Sequence, residues 1–215
     1  MKIQFLNPNL TDADIKETAK VLKSGWLTYG DKTKAFEEGL ARYLGVKKVV
    51  FNSSGTAALH VVLLAAGISK GDEVITTPLS YVATSNAILY CGAKPVFVDV
   101  EPGTGNIDVN KIEKAITKKT KAIIPVHLYG QMVDMKTLKK IADKHDLFII
   151  EDSAHVIESR REGIKPGQLS FASCHSFHSA KNITCGEGGA GAVNSEELAE
   201  KIKLLCEGGV KKEKG

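Results

Sequence analysis

The sequence predicts a three-layer α/β sandwich, with helices on both faces of a mostly parallel sheet of about seven strands. From residue 47 onward, short apolar runs alternate with helix-length stretches, the order that builds parallel sheets. The runs are β-branched and continuous rather than alternating, as expected of strands covered on both sides. The 215 residues, 43% hydrophobic and 25% charged, suit one globular domain with a substantial core.

Two helices come first. "TDADIKETAKVLKSG" opens on a capping box, Thr11 with Asp14, continues through Ile15 and Val21, and meets a stop at Gly25. After the connector "GWLTYGD", the stretch "KAFEEGLARYLG" places Phe36, Leu40 and Tyr43 on one face and ends at Gly45. Residues 1–46 therefore read as a helical segment and 47–215 as the α/β core, one domain in all. In the core, "KKVVF" precedes the helix of "NSSGTAALHVVLLAAG", and "DEVITT" precedes "SYVATSNAILYCG". "PVFVDV" precedes a helix from about Asp108, and "KAIIPVHL" precedes "DMKTLKKIADKHD". "LFIIED", "SFASCHSF" and "GAGAVN" supply the last strands, and "SEELAEKIKLLCEG" closes as a helix. No repeat, linker or low-complexity segment interrupts this order.

Composition narrows the function. A net charge of +4, with lysines scattered among acids, argues against nucleic-acid binding, and the basic tail "KKEKG" reads as a frayed end. No run approaches a membrane span and the N-terminus is no signal peptide. Cys91, Cys174, Cys185 and Cys206 form no C-x-x-C pair, so reduced thiols in the cytoplasm are expected. His175 and His178 in "HSFH" are not expected to share a metal, and no metal site is predicted.

In open sheets of this kind, ligands lie beyond the carboxyl ends of the strands. "NSSGT", Tyr81, His127, Asp152 and the stretch Ser176 to Lys181 all fall at such ends. "SSGTAAL" puts a glycine and hydroxyls at a helix start, suited to an anion; Ser54 and Thr56 equally suit a simple helix cap. Asp152, ending a buried strand, needs a partner: a pyridinium nitrogen or nearby backbone N–H groups would serve. His155 could reach an oxygen on the same ring or be a hydrogen-bonded loop histidine. Lys181, in a Gly- and Ser-rich loop, suits Schiff-base chemistry, although most loop lysines are merely solvated. Taken together, an anion cradle, an aromatic ring, a carboxylate and an amine match the four handles of pyridoxal phosphate.

Gly186, Gly188 and Gly191 satisfy the spacing G-x-G-x-x-G, but they precede a strand and open no helix, so a dinucleotide loop is rejected. They are expected to let the backbone bend around a cofactor on Lys181.

Seven stretches in this order, "SGWLTYG", "SSGTAALH", "TTPLSYVATSNAI", "PVFVDV", "PVHLYGQ", "EDSAH" and "SFHSAKNITCGEGGA", resemble the DegT-type sugar-nucleotide aminotransferases. These are fold type I enzymes that use pyridoxal 5'-phosphate, and the resemblance covers nearly the whole chain. It implies that Lys181 carries the cofactor and shuttles a proton, that Asp152 pairs with the pyridine nitrogen, and that His155 lies near the ring hydroxyl. Tyr81 would stack on the ring. Gly55, Thr56, the N–H of Ala57 and the hydroxyl of Ser176 would hold the phosphate. The implied reaction moves an amino group, usually from glutamate, onto a nucleotide-linked keto-sugar for amino-sugar and surface-polysaccharide biosynthesis, in a cytoplasmic homodimer. Related dehydratases carry histidine in place of this lysine, so Lys181 argues for transamination over dehydratase or lyase action. Family members run to nearly twice this length, so the smaller C-terminal domain is expected to be absent. That leaves a second reading open: a cofactor-binding remnant, or one half of an enzyme whose other half is separately encoded. The resemblance assigns no contacts to Trp26, Thr28, His127 or Tyr129.

Overall fold

The computed structural model describes residues 8–210; the first seven residues and the basic tail 211–215, expected to fray, lie outside the described residues. Its seven strands form one sheet in the order β1-β7-β6-β5-β4-β2-β3. These are β1 (Lys48–Asn52), β2 (Glu73–Thr76), β3 (Lys94–Phe97), β4 (Thr120–Ile123), β5 (Phe148–Asp152), β6 (Ala172–Ser176) and β7 (Gly189–Val193). Only β7 runs against its neighbours, β1 and β6. The other six strands point one way, so their carboxyl ends share one edge. The helices are α1 (Asp12–Ser24), α2 (Asp31–Leu44), α3 (Gly55–Ala65), α4 (Ala83–Tyr90), α5 (Val109–Ala115), α6 (Met135–Lys144) and α7 (Glu196–Cys206). Among the described residues, no helix is long and apolar enough to cross a membrane.

Side-chain alternation within each central strand feeds two separate cores. Val74, Ala122 and Ile150 face a cluster built with Leu59, Val62 and Leu63 of α3, Ile88 of α4 and Ile202 of α7. Their neighbours Ile75, Ile123 and Ile149 face the opposite layer, with Ile112 of α5 and Leu138 of α6. Each fully buried Ile or Leu contributes about 1.5–3 kcal/mol relative to exposure, so both layers are required to hold the sheet. This explains the unbroken apolar runs in the sequence.

Local signals set the ends of the first two helices as read. Thr11 and Asp14 form a complete capping box, and Gly25 ends α1 in the left-handed region at φ 70°. Gly45 ends α2 in the same way at φ 73°. α2 also protects the sheet edge: Glu37 accepts the Phe51 N–H of β1 at 2.8 Å and the Tyr29 hydroxyl through its other oxygen. An edge N–H so engaged is no longer free to pair with another chain. Trp26 lies over its own turn, donating from Nε1 to the Tyr29 carbonyl at 3.1 Å.

Candidate active site

The shared carboxyl edge gathers the residues singled out from the sequence. At the end of β5, Asp152 is buried and its backbone is pinned on both sides. Its N–H donates to the Pro125 carbonyl at 2.9 Å, and its carbonyl accepts the His127 N–H at 3.1 Å. The carboxylate accepts the Thr84 hydroxyl on Oδ2 at 2.7 Å and the Ala154 N–H on Oδ1 at 3.2 Å. Thr84 in turn meets the Ser80 hydroxyl at 2.8 Å. A buried carboxylate with two donors avoids the cost of an unpaired charge and keeps a fixed orientation. Thr84 lies within a stretch used for the resemblance, yet its role was not read from the sequence; its position three residues after Tyr81, on the first turn of α4, is the signal that could have found it.

Lys181 follows β6 on a loop folded back on Phe177, whose carbonyl accepts the Cys185 N–H at 3.1 Å and the Thr184 hydroxyl at 3.0 Å. The lysine is half-buried and lines a narrow cleft with Ser153, His155, Ser176 and Phe177. Burial pulls its amine below the ordinary lysine range, while the Asp152 charge opposes that shift. The two groups therefore sense each other across the edge. His155 belongs to the same cluster: burial lowers its pKa, the Lys181 charge lowers it further, and Asp152 opposes. Its ring stacks on that of Tyr129, centroids 5.3 Å apart and planes 7° from parallel. Tyr81 stands exposed beyond β2.

The start of α3, the stretch whose glycine and hydroxyls suit an anion, packs on β7. Gly189, the first residue of β7, pairs with Asn52 of β1 on one side and with Ser176 of β6 on the other. The start of α3 sits directly above it: a Cβ on Gly189 would fall 2.2 Å from the Ser54 carbonyl and 2.5 Å from the Gly55 nitrogen. A Cβ on Gly55 would in turn fall 2.8 Å from the Ser176 Cβ. Thus the glycine of α3 and the serine of β6 are in contact although 121 residues separate them. Ser54 is the N-cap and accepts the Ala57 N–H at 3.1 Å. The helix-cap reading of Ser54 therefore holds. Ala57 has its N–H engaged, whereas those of Gly55 and Thr56 carry no intrahelical partner.

Three of the glycines of 186–191 serve close packing. A Cβ on Gly188 would meet Cys185 Sγ and the Phe51 ring, and one on Gly191 would meet Val62 of α3 at 3.1 Å. With Gly189, they let α3 and the aromatic core approach β7 closely. Gly186 alone serves the loop conformation, at φ 86°.

His127, placed at the correct edge without a role, is wholly buried, with Nε2 2.7 Å from Glu151 Oε2. It is a buried structural pair, and no local pattern in the chain signals that the two meet.

The geometry has known counterparts. The family model described as the DegT/DnrJ/EryC1/StrS aminotransferase family matches residues 8–215. The chain is 42% identical over 205 residues to the GDP-perosamine synthase of Caulobacter vibrioides, covering 95% of this chain and 55% of that protein. The solved structure of Helicobacter pylori PseC, an aminotransferase involved in the biosynthesis of pseudoaminic acid, matches with a TM-score of 0.93 at 39% identity. That match covers 99% of this chain and 58% of the other. The putative sugar aminotransferase Spr1654 from Streptococcus pneumoniae, in its PLP form, matches with a TM-score of 0.91 at 35% identity, covering 95% and 58%. The chain spans about half the length of the curated relatives it matches. It belongs to the DegT/DnrJ/EryC1/StrS aminotransferase family.

Proposed function

We propose that this chain is the cofactor-binding large domain, residues 1–215, of a pyridoxal-phosphate-dependent aminotransferase acting on a nucleotide-linked keto-sugar, with glutamate as amino donor. The observation that carries the reading is the cluster of a half-buried amine with lowered pKa, a clamped carboxylate and an open helix N-terminus at one sheet edge. The residues fit the cofactor chemically. Lys181 offers a nucleophilic amine, and Asp152 offers a fixed anion to keep a pyridine nitrogen protonated. The N–H groups of Gly55 and Thr56, with the hydroxyls of Thr56 and Ser176, offer donors to a phosphate. Ala57 contributes through the shape of the first turn, since its N–H is taken by Ser54.

Bound there, the cofactor would supply an electron-withdrawing ring that acidifies the α-carbon of the amino donor. Lys181 would hold it covalently and then carry the proton between reacting carbons; a lysine of lowered pKa is neutral, and so able to accept a proton, over a wider pH range. Asp152 would hold the ring nitrogen, His155 the ring oxygen, and Tyr81 would cover one ring face. Amino-sugar and polysaccharide biosynthesis, in a cytoplasmic homodimer, completes the proposal. All four cysteines are free, which supports a reducing compartment. The relatives' greater length supports a smaller C-terminal domain as the partner of this one in the working enzyme.

The test is direct. Pyridoxal phosphate added to the purified chain should produce a visible absorbance band, and borohydride should fix the adduct on Lys181, as located by peptide mapping. Lys181→Ala should lose both. An adduct elsewhere, or none, would overturn the assignment. Exposure of the loaded chain to glutamate separates aminotransferase from dehydratase or lyase chemistry, because only the first should release 2-oxoglutarate in stoichiometric amount. Full turnover by these 215 residues alone would count against any need for a further domain.

A further inference from the structure

The short turn Leu128–Gly130, after β4, holds Tyr129 in the left-handed region at φ 49°, ψ 40°. That conformation is unfavourable for a non-glycine residue, and Tyr129 is 86% exposed, so burial does not offset it. The turn is nevertheless held from three directions. Asn106, itself buried, accepts the Leu128 N–H on Oδ1 at 3.1 Å and donates from Nδ2 to the Gln131 carbonyl at 2.9 Å. His127, just before the turn, accepts the Val133 N–H on Nδ1 at 3.1 Å and meets Glu151 through Nε2. Glu151 is anchored in turn by the Gly167 N–H at 2.8 Å and by the Ser170 hydroxyl. Such a network, fully satisfied and buried, makes the turn rigid.

What the turn presents to the site is a single backbone N–H. Tyr129 donates it to Nδ1 of His155 at 3.3 Å, while its ring stacks on the imidazole. A backbone N–H cannot accept, so Nδ1 must be the bare nitrogen, and a neutral imidazole then carries its proton on Nε2. Nε2 makes no hydrogen bond to another described residue, and the ring lines the cleft that holds Lys181.

We propose that the Leu128–Gly130 turn, clamped by Asn106 and the His127–Glu151 pair, is a tautomer lock that keeps His155 protonated on Nε2 as a donor to an anionic oxygen of the molecule captured by Lys181. The identity of that acceptor, the oxygen beside the aldehyde of pyridoxal phosphate, rests on the function proposed above. The tautomer itself does not. Tyr129, Asn106, His127 and Glu151 are then positioning residues: they touch no substrate and act through His155.

The test uses the full chain without cofactor, labelled with 15N-histidine, with His155 assigned by loss of its signals in His155→Gln. Above its titration, His155 should show one pyridine-type Nδ1 and one pyrrole-type Nε2, and Tyr129→Phe should leave both unchanged. Asn106→Ala frees the turn and should give averaged shifts, showing an added Nδ1–H population. If Asn106→Ala does not fold, Asn106→Leu, which fills the same space without either clamp bond, provides the same comparison. An Nδ1–H or mixed tautomer in the unmodified chain would overturn the proposal, as would an unaltered tautomer in the folded, freed-turn variant. Because no cofactor is in the tube, failure here leaves the borohydride test at Lys181 standing, and failure at Lys181 leaves the tautomer result standing.

Discussion

Asp152 owes its orientation to Thr84, a residue 68 positions away in the chain, and that dependence can be measured. Thr84→Val keeps the shape but removes the donor, leaving one carboxylate oxygen short of a partner in a buried setting. Hydrogen bonds to charged groups are worth about 1.5–3 kcal/mol, so urea denaturation should show a loss of that order, with weaker retention of pyridoxal phosphate. Thr84→Ser should restore most of both; equal stability of the valine variant would show that the contact carries no weight. At this scale the sequence was partly legible. Lys181, Asp152 and His155 could be placed at one edge because each ends or follows a strand, and strands joined through helices run parallel and share a carboxyl edge. Thr84, Asn106 and the His127–Glu151 pair were not legible, because ordinary polar residues acquire a role only from what they face.

The closeness of α3 to β7 is the contact on which the proposed phosphate site depends. Gly189→Ala would drive a methyl group into the Ser54 carbonyl and Gly55 nitrogen, backbone atoms that can yield only if the whole helix moves. A destabilisation of about 1–3 kcal/mol or more is expected, together with loss of cofactor phosphate affinity from a displaced helix start. Gly39 provides the contrast. It lies inside α2, and a Cβ there would meet nothing within 4 Å. Gly39→Ala should therefore stabilise by about 0.5–1 kcal/mol through reduced backbone entropy. Parallel denaturant melts of the two variants should move in opposite directions. The same residue type thus has two meanings that the letters alone do not separate. Beside a reactive lysine, the "GEGGAG" run reads as glycines that let the backbone bend around a cofactor on Lys181. Strand register adds a packing role that the letters do not show, setting Gly189 between Asn52 and Ser176 beneath a helix. Element ends such as the Thr11 capping box and the Gly25 stop were legible because their causes lie within a few residues.

For the molecule as a whole, stability should fall with acid, and His175 is the principal cause. It is buried on β6, and burial pushes its pKa down to about 4, against the opposing attraction of Glu151. Its Nδ1 has no hydrogen-bond partner, while Nε2 meets the Ser173 hydroxyl at 3.0 Å. An unfolded histidine takes up its proton near pH 6.5, before the folded one does. Between those values the unfolded state binds more protons, so stability is full above pH 6.5 and declines as pH falls toward 4. A gap of this size corresponds to about 3 kcal/mol. His155, shifted the same way by burial, adds to the slope. Denaturation midpoints measured across this range should fall steeply, and His175→Gln should flatten the curve; an unchanged slope would place the acid sensitivity elsewhere. The sequence by itself determined the elements, the α/β class and which chemically able residues lie at the strand ends, since periodicity, caps and strand-to-helix alternation are short-range effects. Tertiary structure alone decided the order β1-β7-β6-β5-β4-β2-β3, the reversal of β7 and the meeting of Gly55 with Ser176. Those depend on which faces exclude water together and on contacts between residues far apart in the chain, which no local pattern encodes.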